Sequence, residues 1–425
     1  MAKAHRSIRG LMAVAIAATA VVVPAVVSSS ANAAVELSFW SWRPEDKAFY
    51  EAQAVKFQEK TGISVKFTPY VATEYNATLT TALTAGKGPD VMQIRSYGGM
   101  ANLSDAGNFL ALTTKDVPAL AKVAPGMLAG AQGYKVKSQF GFPYSTSVLG
   151  IMYNPDLFAK AGITAMPTSW TSFISTLNRL KAAGIQPLAN GTGYAPGLEQ
   201  LWGAIAPAWY GGSTFFNQLV AGDKTFNDPA FVASLKAEQD LYKYMPAGAS
   251  GLDYNTARGL FANGKAAIYI GGNYEISYFR TVNPAAKVGW FPAPASTQGG
   301  KRYVTTWADG AFAINAKTTH KAEAIKFLNF LSSKPFMQAA ADTLGWIPPL
   351  SGIASKDPAI TAMAYKIPSM GTPFLTLVGF RYGTPTSSSI MQPGFQKVAS
   401  GGQTVADLAK SIQDGVATWY APFKK

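Results

Sequence analysis

Two hydrophobic periods alternate along the chain. "VELSFW" (35–40) is a short apolar run of strand character, and "ISVKFTPY" (63–70) alternates apolar and polar side chains like a half-buried strand. Between them Tyr50, Ala54 and Phe57 fall on one helical face. Pro44 sits at the first helical position, Glu45 and Asp46 in the first turn, Lys60 in the last turn and Gly62 beyond it. That segment carries its own start and stop signals. A second helix over roughly 73–85 presents Leu79 and Leu83 and stops at Gly86. "GKGPDVMQI" then turns into a buried strand that ends on Arg95, Ser96, Tyr97, Gly98 and Gly99.

The same grammar returns further along. "PTSWTSFISTLNRLKAAG" offers Thr168 or Ser169 as helix cap, a stripe of Phe173, Leu177 and Leu180, and Gly184 as stop. Asp228 and Pro229 start another helix, and "KAAIYI" reads as a strand leaving on Gly271, Gly272, Asn273, Tyr274 and Glu275. Val405, Leu408, Ile412, Val416 and Trp419 stripe a long amphipathic helix near the end. Strands alternating with helices imply an α/β fold with a largely parallel sheet, in which ligands lie beyond the carboxyl ends of the strands. Trp40 to Arg43 and Arg95 to Tyr97 occupy that position on two strands. No internal repeat and no Pro/Gly-rich linker cuts the chain in two, which points to domains joined by more than one crossing.

Composition narrows the chemistry. A length of 425 residues suits two domains at about 100–200 residues each, and 48% hydrophobic residues leave ample material for a core. Residues 1–33 read as a cleaved export signal: Lys3, Arg6 and Arg9, then "LMAVAIAATAVVVPAVV", then the small-residue site "ANA". Pro24 and the shortness of the apolar run argue against a membrane anchor. The net charge is +14, but the basic residues are scattered, with "YKVKSQ" and "GGKRYV" the densest spots. A solvated basic surface on an exported protein fits better than a nucleic-acid partner. There is no cysteine, so no disulfide, thiolate metal site or cysteine nucleophile exists.

Candidate enzyme motifs fail one by one. "GLFANGKA" (259–266) fits G-x-x-x-x-G-K, but Ala266 replaces the magnesium-holding hydroxyl and the helix precedes the loop. A glycine-stopped helix followed by a strand explains it. His320 is the one histidine past the leader, at a helix start, so neither a histidine triad nor a zinc site can be assembled. A carboxylate-pair glycosidase using two of Asp90, Glu199, Glu275 and Asp309 stays open, with no positive sign for it. The aromatic residues say more. Trp42, Tyr97, Tyr144, Tyr274, Trp307 and Trp346 recur at expected strand exits. Sugars offer apolar C–H faces to such rings and hydroxyl rims to planar polar groups such as Arg43, Arg95, Asn273, Glu275, Asp309 and Arg381.

Those segments resemble the extracellular solute-binding proteins of ABC sugar importers, the family that includes maltose-binding protein. The likeness covers the chain after the leader. It is carried by "LSFWSW", "LTTALTAGKGPDVMQIRSYGG", "FGFPYSTSVLGIMYNPDLFAKAGI", "PTSWTSF", "LFANGKAAIYIGGNYE", "DGAFAINA" and "SGGQTVADLAKSIQDG", in that order. The resemblance implies a two-lobed periplasmic-binding-protein fold with hinge crossovers near Tyr144–Val148, Trp307–Gly310 and Trp346–Leu350. The lobes would comprise residues 34–145 plus 311–348, and 146–310 plus 349–425. The family's cleft positions fall on Trp42, Arg43, Arg95, Ser96, Tyr97, Tyr144, Ser147, Asn273, Tyr274, Glu275, Trp307 and Asp309, with Trp346 and Arg381 as further transfers. Trp42, rather than Trp40, would be the ring that meets the ligand.

The implied activity is sugar capture by hinge closure and delivery to the importer's permease, by a monomer without cofactor or metal. Many relatives carry a lipid-modified cysteine after the leader; its absence fits a free periplasmic protein. A secreted carbohydrate-active enzyme, or a binding protein for a uronate or phosphodiester, is the alternative.

Overall fold

The structure is a computed structural model describing residues 35–424, so the expected leader lies outside the described residues. Strand β1 (Glu36–Ser41) runs into a 3-10 turn at Pro44–Asp46 and the helix Lys47–Thr61. That helix stops at Gly62, whose φ of 74° only a glycine adopts at low cost. It buries Tyr50, Ala54 and Phe57, the face expected from their spacing. β2 (Ser64–Pro69), the helix Tyr75–Thr84 and β3 (Val91–Arg95) follow. β1 pairs with both β2 and β3 in parallel. β4 (Phe142–Pro143) and β9 (Gly310–Ile314) complete this five-stranded sheet in the order β2-β1-β3-β9-β4.

The second sheet holds β5 (Thr146–Tyr153), β6 (Ile268–Gly272), β7 (Gly289–Phe291), β8 (Val304–Ala308) and β10 (Gly371–Pro373). β5 is antiparallel to β6, β7 and β8, and only β10 joins in parallel. The expectation of a largely parallel sheet therefore holds for β1, β2 and β3 and fails for the second sheet, where β10 with β8 is the one parallel pair of strands among the described residues. The reason is connectivity. β1, β2 and β3 are linked through helices, whereas β9 arrives from β8 of the other sheet through the single residue Asp309 and pairs antiparallel to β3.

The chain passes between sheets at three places: from β4 to β5 through Tyr144 and Ser145, from β8 to β9 through Asp309, and along 345–357 after the helix Lys334–Leu344. In the first sheet, Phe39 packs against Tyr50, Phe67, Phe312 and Phe327. Each such ring contributes about 1.5–3 kcal/mol by leaving water. The second sheet is covered on both faces. Leu149, Ile151, Ile268 and Ile270 belong to the core that contains Phe173 and Trp202. Val148, Met152 and Tyr269 pack with Phe261, Phe279 and Ile360. The helices at Trp170–Ala182, Pro229–Gln239 and Val405–Ala417 form with Ser169, Asp228 and Thr404 as side-chain caps. The helix Tyr254–Ala262 ends at Asn263 and Gly264 before β6, the arrangement that excluded a phosphate loop.

Candidate functional site

A cavity of about 600 Å³ lies between elements of the two sheets. From the first sheet's side come Trp42, Arg43, Pro44 and Glu45 after β1, then Arg95 at the end of β3 with Ser96 and Gly99 beyond it. The turn between β3 and the helix Gly98–Asp105 is made by Tyr97 at a φ of 55°, a sparsely populated conformation for a residue with a side chain. From the other side come Tyr194, Glu199, Tyr254, Arg258, Tyr274, Trp307, Arg381 and Gln392, with Asp309 at a crossing. The cavity thus opens where strands end, as the α/β pattern requires.

Trp42 is buried and packs against Tyr75 and Tyr144. The Arg95 guanidinium lies 3.9 Å from its ring centroid, so one face of the expected platform is already covered by a cation. Arg95 has no carboxylate within 4 Å among the described residues. Ser96 is buried and its Oγ has no hydrogen-bond partner among them either. Trp40 is half-buried against Tyr70 and does not line the cavity.

Arg43 is committed. Its Nε donates to Asp46 at 2.5 Å, and its Nη2 donates to Ser277 Oγ at 3.0 Å on the opposite side. Burial lowers its pKa, but Asp46 and Glu45 outweigh that and raise it well above its ordinary value. Tyr274 and Trp307 line the cavity edge to face, with ring centroids 6.3 Å apart. Asp309 lines it and accepts from Tyr144 Oη at 3.1 Å. Arg381 lines it and is paired with Glu199 at 2.9 Å.

Several expected contacts do not line the cavity. Tyr144 is fully buried and stacks on Trp346 with centroids 4.5 Å apart. With its hydroxyl on Asp309, it binds the three crossings to one another. Asn273 accepts from the Val148 N–H at 2.9 Å and donates to the Gly345 carbonyl at 3.1 Å, tying β5 to the third crossing. Ser147 is buried in β5 opposite Trp307. Tyr97 is buried and its hydroxyl accepts from the Ala308 N–H at 3.3 Å. Glu275 is fully buried behind the wall, where it accepts from Tyr254 Oη at 2.7 Å and Arg258 Nη1 at 3.2 Å. Tyr97, Tyr144 and Trp346 are large rings that leave water in the seam, whereas Asn273 and Glu275 are drawn behind the wall by the hydrogen bonds they make.

The wall residues that sequence reasoning missed come from helices and loops, not strand exits. Arg258 is clamped between Tyr254 and Tyr278, 3.9 and 3.5 Å from their centroids. Tyr194 stacks on Tyr254 at 4.7 Å. The available signals were the aromatic within the Gly/Pro-rich "NGTGYAPG" and the aromatic helix start in "DYNTARG".

The model of the bacterial extracellular solute-binding protein family matches residues 40–338, and the chain belongs to that family. The chain is similar to a multiple sugar-binding protein of Streptococcus mutans, 27% identical over 331 residues, covering 75% of this chain and 76% of that one. It is also similar to a diacetylchitobiose binding protein of Streptomyces coelicolor, 24% identical over 395 residues, covering 89% and 88%. Among solved structures, a solute-binding protein in complex with raffinose superposes with a TM-score of 0.76 at 20% identity, covering 92% of this chain and all of that one. A chitin oligosaccharide binding protein gives 0.76 at 21%, covering 91% and 99%. The fold is that of the two-lobed binding proteins. Among the described residues, no helix is long and apolar enough to cross a membrane.

Proposed function

We propose that this chain is the carbohydrate-capturing subunit of an ABC importer, exported without a lipid anchor and acting as a monomer. The observation that carries the reading is the cavity itself. Ring faces and planar hydrogen-bonding groups converge in it from both sheets, the combination that a polyhydroxylated ring requires. The lobes divide at the crossings, as residues 34–145 plus 311–348 and residues 146–310 plus 349–425. Trp42, Arg95, Ser96, Tyr274, Trp307, Asp309 and Arg381 meet the sugar directly, while Tyr144, Asn273 and Trp346 serve the hinge. A ligand that touches both walls binds the closed form better and shifts the population toward it, presenting a joined face to the permease.

The ligand is neutral. The lining arginines Arg43, Arg95, Arg258 and Arg381 are matched by Glu45, Glu199, Asp253 and Asp309 in the same lining. The chain's positive excess therefore lies elsewhere, which disfavours a uronate or phosphodiester. Binding occurs without turnover. Asp90 is held by Ser38 and Thr318, Glu275 by Tyr254 and Arg258, and Glu199 by four donors, which leaves Asp309, held by Tyr144 alone, without a second free carboxylate among these four to form a catalytic pair.

Thermal-shift titration tests the reading with raffinose, diacetylchitobiose, xylo-oligosaccharides, glucuronate and sn-glycerol-3-phosphate. A neutral sugar should raise the melting temperature and reduce the radius of gyration in small-angle scattering, with no new reducing ends on long incubation. A response confined to the anions, or catalytic release of product, would overturn it.

A further inference from the structure

Glu199 lines the cavity, yet its acceptor positions are already taken. Oε1 accepts from Thr376 Oγ1 and Ser388 Oγ, both at 2.6 Å. Oε2 accepts from Arg381 Nη2 at 2.9 Å and Gln392 Nε2 at 2.6 Å. An ionised carboxylate offers about four such positions, so a ligand hydroxyl would have to displace a partner. Glu199 is 1% exposed. Burial alone would push its pKa up, but Arg381 and the Gln392, Ser388 and Thr376 donors outweigh burial and hold it below the ordinary carboxylate range. It is an anion, and a saturated one.

The donors come from separate segments. Thr376 lies in the short helix Leu375–Gly379, Arg381 in the loop after it, and Ser388 and Gln392 in the helix Ser387–Ala399. Arg381 is fastened twice, because its Nε also donates to Ser388 Oγ at 2.5 Å. Arg381 and Gln392 both line the cavity, and each keeps polar groups that Glu199 does not use. The main chain of Arg381 also meets the other wall, since a Cβ at Gly98 would collide with its carbonyl.

We propose that Glu199 is a positioning residue: it does not meet the sugar, but fixes Arg381 and Gln392 so that their remaining hydrogen-bonding groups face the cavity before ligand arrives. The inference rests on the binding function proposed above. A free arginine side chain loses rotamer entropy when it is fixed, and ordering it in advance removes part of that cost from association.

The first test needs no ligand. Sugar-free protein is treated with phenylglyoxal, and the adducts are located by peptide mass. Glu199→Gln should speed modification of Arg381 by about fivefold or more as the side chain loses its anchor, and leave Arg95 at the wild-type rate. Should Glu199→Gln not fold, Ser388→Ala, which removes one anchor, should give a smaller increase at Arg381. An unchanged rate at Arg381 overturns the proposal whatever the protein binds.

The second test is a mutant cycle by calorimetry with raffinose and diacetylchitobiose. Glu199→Gln should weaken binding about 10-fold, and adding it to a variant that already carries Arg381→Met and Gln392→Leu should weaken binding no further. Additive losses would place Glu199 on the sugar. A lower melting temperature with unchanged affinity would make it purely structural. Either result sinks the proposal. If the wild type binds no sugar at all, the proposed function fails, and the reactivity test still decides the role of Glu199.

Discussion

Both walls of the cavity stack an arginine on an aromatic ring, but they hold it differently. On the first sheet's wall, Arg95 lies 3.9 Å over Trp42 with no carboxylate within 4 Å among the described residues. On the opposite wall, Arg258 lies between Tyr254 and Tyr278 and is also paired with Glu275, which is fully buried. Arg381 on the same wall is paired with Glu199, which is also buried. A cation held only by a ring is bound by about 0.5–2 kcal/mol and can move. A cation held by rings and a buried carboxylate cannot leave without exposing an unpaired charge to a low-dielectric interior. The second wall is therefore preformed, and Arg95 is the adjustable group.

The largest effect should come from Trp42→Ala. The ring is 4% exposed and packed on Tyr75 and Tyr144, so truncation should cost about 3–5 kcal/mol of stability by chemical denaturation and abolish measurable sugar binding. A variant that loses affinity while keeping its denaturation midpoint would show the ring to be a free platform and the Arg95 cover to be incidental.

Arg258→Ala should cost less, about 2–3 kcal/mol, below the ~3–5 of a typical broken buried pair, because Glu275 can take up a proton. Burial already raises the Glu275 pKa in spite of Arg258, and losing the arginine raises it further. A carboxyl whose folded pKa lies above its unfolded value contributes full stability below the unfolded pKa and loses it as pH rises toward the folded one. The deficit of Arg258→Ala should therefore be small near pH 4 and grow toward pH 8. Parallel stability curves for wild type and variant across that range would refute the pairing.

Arg95→Ala should be the mildest for folding, at under about 1 kcal/mol, while weakening sugar binding by about 10-fold. If it destabilises as much as Arg258→Ala, the two walls do not differ and the comparison collapses.

The periodic signals of the chain determined the elements because each is local. Pro44 opens a 3-10 turn instead of the expected helix, which starts at Lys47, but Lys60 and Gly62 close that helix, Ser169 and Asp228 cap two others, and the alternation in "ISVKFTPY" becomes β2. The resemblance of ordered segments extended this to the family, and Trp42, Arg95, Ser96 and Trp307 do line the cavity. What sequence could not carry was direction. Tyr144 and Trp346 share with Trp42 an aromatic beside a polar or glycine residue, yet Trp346 follows the helix Lys334–Leu344 rather than the expected strand, and it stacks on Tyr144 in the seam. Asn273 spends its amide on Val148 and Gly345, and β9 pairs antiparallel because Asp309 alone links it to β8. Glu199 gathers partners up to 193 residues away, and Tyr194 meets Tyr254 only when two helix starts converge. Local pattern sets which face of a strand or helix is apolar. Which apolar face closes a core and which lines a cavity depends on neighbours far off in the chain, and those were placed by the tertiary structure.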